Sequence, residues 1–140
     1  MSSTPVSIRF DDALLERVRR SAATLDTTAS SLIQRYVEES LRMQDFPGIV
    51  FRGGPSGRRA ALAVGPDVWE IAVALRDADE RGHAAIDSVA VDLGLSPAAV
   101  RLALSYYGTY ADEIDAEVAD NGRAADEALK SWEAQQRLVS

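Results

Sequence analysis

Residues 5–41 read PVSIRFDDALLERVRRSAATLDTTASSLIQRYVEESL, and the fold of the first third of the chain turns on them. Pro5 to Phe10 alternates, with Val6, Ile8 and Phe10 on one side and Pro5, Ser7 and Arg9 on the other, which predicts a six-residue strand with one buried face. Asp11 offers an oxygen to cap a helix, and Asp12 places a carboxylate in its first turn. Leu14, Leu15, Val18, Ala22 and Leu25 then recur at helical spacing, with Arg17, Arg19 and Arg20 mostly opposite. Asp26 and Thr27 break the pattern. Thr28 predicts the cap of a second helix, whose apolar positions are Leu32, Ile33, Tyr36, Val37 and Leu41.

A lone strand before two amphipathic helices is an incomplete object. Its amides lack a partner, and two short helices cannot enclose a core. Two copies solve both problems: the strands pair antiparallel about a two-fold axis, and their apolar faces cover four helices. The outer face of that ribbon then carries Pro5, Ser7 and Arg9 twice. A two-stranded ribbon fits the major groove of DNA, where a guanidinium can bond two acceptors of guanine and a hydroxyl can reach either kind of base edge.

The stretch from Val6 to Leu41 resembles a ribbon-helix-helix repressor or a VapB-like type II antitoxin over its whole length. The resemblance implies that Pro5, Ser7 and Arg9 read bases, and that Thr28, Ala29 and Ser30 hold a phosphate at the start of the second helix. Helix physics supports the second role, since a helix N-terminus presents unbonded N–H groups and a positive dipole to an anion. Pro5 departs from the polar residues common in that family, so specificity rests mainly on Ser7 and Arg9.

Charge is distributed unevenly. The chain of 140 residues carries a formal net charge of −7. Residues 1–43 hold six arginines and six acids, residues 44–66 three arginines and one acid, and residues 67–140 six basic and fifteen acidic side chains. The first half can therefore approach a phosphate backbone despite the acidic total. With 46% hydrophobic and 26% charged residues the composition is that of a globular protein. There is no cysteine, which excludes disulfides and thiolate metal sites, and His83 is the single histidine. Neither a metal nor another cofactor is expected. Charges interrupt every apolar run and nothing reads as a signal peptide, so the expectation is a cytoplasmic protein without membrane contact.

Residues 44–66 are rich in glycine and proline, and their two apolar runs, Ile49 to Phe51 and Ala60 to Val64, predict a β-hairpin closed by Gly53 to Gly57. Arg58 and Arg59 near its tip are candidates for an auxiliary phosphate contact. The loop lacks the spacing and lysine of a nucleotide-binding P-loop. Asp67 to Arg76 predicts a helix with a wide apolar stripe. Ala85 to Asp92 predicts another, ended by Gly94, and Ser96-Pro97 opens a third that reaches Tyr107. Helix, tight glycine turn, helix is the helix-turn-helix pattern. Its second helix exposes Ala98, Ala99, Arg101 and Ser105, a set poor in side chains that read bases, so a packing or protein-binding role is expected.

From Asp45 to Val118 the chain is similar to the domain-of-unknown-function 433 family, on the segments PGIVF, ALAVGPDVWEI, LGLSPAAVRLALSYY and YADEID. The resemblance implies a small helix-turn-helix unit with a hairpin, found beside antitoxins of toxins with a PIN-type nuclease fold. Phe46 stands where that family commonly has histidine.

Asn121-Gly122 punctuates the chain, and Arg123 to Leu138 predicts a last helix. Either it docks on its own domain, or it inserts into a partner's groove with Leu129 and Trp132 as anchors. The antitoxin resemblance implies the second, with Arg123, Lys130 or Arg137 facing the acidic metal site of the toxin.

The expected fold is therefore mainly α: a ribbon-helix-helix domain over residues 1–44, a hairpin plus helix-turn-helix domain over 45–120, and a C-terminal helix over 121–140. The expected function is binding. One form is an antitoxin that neutralises its cognate toxin and represses its own operon by binding double-stranded operator DNA as a homodimer or higher even oligomer. The other is a stand-alone repressor whose second domain oligomerises or binds another protein. An enzyme fits worst, because Asp112, Glu113 and Asp115 read as solvated helix surface with no histidine, cysteine or lysine nearby.

Overall fold

The computed structural model describes residues 2–54 and 57–140. It is mainly helical and divides into two units, Met1–Arg42 and Met43–Ser140.

In the first unit, α1 spans Asp12–Thr24 and α2 starts at Ala29 and runs to Asp45. Both starts follow from their caps. An Asp11 carboxylate oxygen accepts from the Leu14 amide at 3.1 Å, and Thr28 Oγ1 accepts from the Ser31 amide at 3.1 Å. Helix α1 closes with the Thr27 amide on the Ala22 carbonyl (2.9 Å) and the Asp26 amide on that of Ala23 (3.3 Å). This closure puts Asp26 in the left-handed region, at φ 53°.

Pro5 to Phe10 departs from expectation. Residues 2–10 form neither helix nor strand. A strand is held by ladder bonds to a neighbour, and among the described residues the only strands pair with each other. Alternating sequence supplies the faces of a strand but not its partner.

The second unit begins with the expected hairpin, β1 (Ile49–Gly54) against β2 (Gly57–Leu62), with Ile49 opposite Leu62 and Phe51 opposite Ala60. Pro55 and Ser56, within the expected turn, lie outside the described residues. Helix α3 (Val68–Asp77) starts where Glu70 reaches back to accept from the Asp67 amide at 2.9 Å. Helix α4 (His83–Leu93) ends at Gly94, whose φ of 67° suits glycine, and α5 (Pro97–Thr109) starts with Ser96 Oγ accepting from the Ala99 amide at 3.1 Å. The bend between α4 and α5 is 113°, within the range of a helix-turn-helix. Neither α4, α5 nor any other single helix among the described residues is long and apolar enough to cross a membrane.

The core gathers on Tyr106, which is fully buried among Ile49, Leu62, Val68, Ile71, Val100 and Ile114. Phe46 meets its ring edge-on at 5.2 Å between centroids, and Tyr110 lies 4.7 Å away. Phe46 is thus a packing residue of this core.

Helix α6 spans Ala111–Val139, 29 residues without a break. The expected punctuation at Asn121-Gly122 does not occur. Asn121 turns its side-chain amide back onto the Glu117 carbonyl at 2.8 Å, and a single glycine costs a helix only about 1 kcal/mol relative to alanine. Every residue from Gly122 to Ser140 is exposed, so docking of this segment on its own domain is not realised.

Candidate nucleic-acid interface

The first unit buries little. Ala22, Leu32 and Glu39 are its buried residues, while Val6 is 76% and Ile8 66% exposed. Phe10, Leu14 and Val18 line one wall of an open apolar depression of about 330 Å³, and Ile33, Tyr36, Val37 and Leu41 line the other. These are apolar positions from both helices and the last apolar position of the alternating arm, whereas Ala22 and Leu32 are buried. They are only partly covered in a single copy, with Leu14, Tyr36, Val37 and Leu41 exposed and Phe10, Val18 and Ile33 half-buried, so each large side chain forgoes part of the roughly 1.5–3 kcal/mol that full burial brings.

Pro5, Ser7 and Arg9 are all exposed in the arm, at the positions that alternate with Val6 and Ile8. Thr28, Ala29 and Ser30 stand together at the head of α2, with Thr28 and Ser30 exposed and Ala29 half-buried. Thr28 Oγ1 serves the Ser31 amide and its hydroxyl donates to Ser31 Oγ at 3.0 Å. The amides of Ala29 and Ser30 fall in the first turn, where helix geometry supplies no acceptor. That leaves them able to bond an anion.

The second pair of arginines is placed differently from what its position near a hairpin tip implies. Arg59 is drawn in beside Asp67, Nε to carboxylate 3.4 Å, with only 15% of its side chain exposed. Arg58 is exposed and donates to the Phe51 carbonyl at 3.4 Å. On α5, Ala98, Arg101 and Ser105 are exposed and Ala99 is half-buried.

On α6 the candidate contact residues separate into two stripes. At about 100° per residue, Arg123, Lys130 and Arg137 recur every seven residues along one face. Trp132, with Ala125 and Ala128, falls on the opposite face, and Leu129 at the margin of that apolar stripe. All five candidates are exposed. Arg123 also pairs with Asp120 one turn earlier.

Sequence reasoning passed over the carboxylates at the root of α6. Asp115 accepts from Tyr107 Oη at 2.9 Å and pairs with Arg76, and these bonds hold its carboxyl below the usual aspartate range, the tyrosine contributing most. Arg76 in turn is raised, chiefly by Asp115. Glu113 accepts from Tyr106 Oη at 3.3 Å. They are engaged groups, not free surface charge. The readable signal was the tyrosine pair Tyr106-Tyr107 one to two turns upstream of these acids, able to reach them across a helix junction. No set of His, Asp and Glu side chains among the described residues is arranged to hold a metal.

Compared with protein-family models, curated proteins and solved structures, the chain matches none of them.

Proposed function

We propose that the chain is a DNA-binding repressor that acts as a homodimer of the ribbon-helix-helix type, and that it serves as the antitoxin of a protein toxin, with a PIN-type nuclease as the expected partner. The observation that carries the first half is the exposed apolar surface within residues 6–41, at Val6 and Ile8 of the arm and along the groove between α1 and α2 that Phe10 also lines. A second copy supplies what a single one lacks: a ladder partner for the arm and a lid for the groove. Pairing the arms turns Ser7 and Arg9 outward as a ribbon for the major groove, while the head of α2 takes a flanking phosphate. Operator sites would then follow the two-fold axis of the dimer.

The second half draws on α6, which extends eighteen residues, Gly122 to Val139, with an apolar stripe open to a partner. A helix presenting one such stripe is the form that groove-binding segments take.

Titration against DNA from just upstream of the gene, at fixed salt, tests the reading. Arg9→Ala is expected to lose about 1–3 kcal/mol on specific DNA with little change on random DNA. Equal binding of both DNAs by the wild type refutes the repressor. Co-expression with the neighbouring gene tests the antitoxin half: a stable complex that Trp132→Ala weakens is expected, and a harmless neighbour that never co-purifies leaves a stand-alone repressor.

A further inference from the structure

Glu117 sits where the root of α6 meets the rest of the second unit. It is half-buried, and its Oε2 is shielded from water without a hydrogen-bond partner, the one such side-chain atom among the described residues. Its neighbours are mostly of its own sign. Glu113 and Asp120 share its face of α6, at four and three residues' remove, and Asp67 approaches from the N-cap of α3. Against these four carboxylates stand Arg59 of β2, already 3.4 Å from Asp67, Arg52 of β1, 3.9 Å from Asp67, and Arg123 of α6 itself, paired with Asp120. From α5 the Tyr106 hydroxyl enters, bonded to Glu113.

We infer that Glu117 is a proton-operated latch: protonated, it lets the root of α6 rest against α3 and α5, and ionised, it weakens that seat. An ionised oxygen enclosed without a donor is costly, and the cost rises with each like charge beside it. A proton removes both penalties and supplies a hydroxyl that a neighbouring carboxylate can accept. Burial first, and the Glu113 charge second, raise the Glu117 carboxyl to about 7, with Arg59 opposing. In the unfolded chain the same group titrates in the ordinary glutamate range. Between that range and pH 7 the folded unit therefore keeps a proton that the unfolded chain has released. Stability is greatest on the acid side, falls as pH rises through about 7, and is level above it. The latch thus works near neutral pH, and what it holds is the base of the helix that presents Trp132.

Two measurements on the full chain test this. The Glu117 carboxyl carbon, followed by NMR in the wild type, is expected to titrate near 7; a midpoint between about 4 and 5 overturns the latch. Thermal melting of the second unit, followed through Trp69 in a Trp132→Phe background, is then compared with and without Glu117→Gln. Between pH 6 and 8 the parent should lose several degrees more than the glutamine variant. Equal pH dependence in the two also overturns it. If Glu117→Gln does not fold, the carboxyl titration decides alone.

Discussion

The two units contain similar apolar side chains and dispose of them in opposite ways. In Met43–Ser140 the hairpin and four helices close around Tyr106, and seven large side chains there are fully buried. In Met1–Arg42 Leu32 alone reaches that state, while Val6, Ile8, Leu14, Val37 and Leu41 remain exposed. The difference is one of layers. A helix needs an apolar surface opposite its stripe, and the second unit supplies one from its own chain. The first unit has helices as well patterned, and among its described residues no third layer covers them. A closed core suits a domain that stands alone, and the open one suits the proposed completion by a second copy.

The sharpest way to break this contrast is to empty the core of the second unit. Tyr106→Ala removes the ring on which Phe46, Phe51 and Tyr110 converge, and is expected to cost about 3–5 kcal/mol in denaturant unfolding. The helicity of α1 should survive in that variant. Next comes the open face. Ile8→Arg is expected to weaken self-association by about 1.5–3 kcal/mol per protomer, read by sedimentation, and to leave the melting of the second unit unchanged. A wild-type chain that sediments as a monomer at high concentration would remove the contrast altogether.

Helix ends give a finer comparison, because each unit closes a helix with a left-handed residue. In the second it is Gly94, at φ 67° with open space where a Cβ would stand, so Gly94→Ala isolates backbone strain and should cost about 1–2 kcal/mol by thermal melting. In the first it is Asp26, at φ 53°, a residue type that tolerates this region at some cost. Asp26→Gly should therefore stabilise by less than about 1 kcal/mol, the smallest effect of the four, and visible only as a shift in the melting of the first unit.

Most of the local structure could be read from single residues. Asp11, Thr28 and Ser96 cap the helices expected of them, Gly94 ends α4, and the two apolar runs do pair as a hairpin, although its second strand is Gly57–Leu62 and so takes in Arg58 and Arg59 and leaves out Ala63 and Val64. These features depend on neighbours within a few residues, which a sequence displays directly. What escaped depends on distance along the chain or on pairing between segments. The arm has the faces of a strand, but a ladder is a property of two segments. Arg59 looked like a surface cation until the fold brought Asp67 beside it. Glu113 and Asp115 looked solvated because Tyr106, Tyr107 and Arg76 reach them only once α3, α5 and α6 are packed. Asn121-Gly122 misled for a different reason. Helix continuation there is a sum over many favourable residues, and Ala124, Ala125, Glu127 and Ala128 outweigh two poor ones.

The outer part of α6 has one further consequence. From Gly122 onward it makes no tertiary contact that buries a side chain, so its order comes from its own backbone bonds and helix-forming residues. An unsupported helix of this length lies near the margin of stability in water, and its turns open many times for each unfolding of the core. Each opening offers a protease an extended substrate. The proposed partner, seated on the Trp132 face, would hold those turns shut, and the lifetime of the protein in the cell would then measure how much of that partner is present.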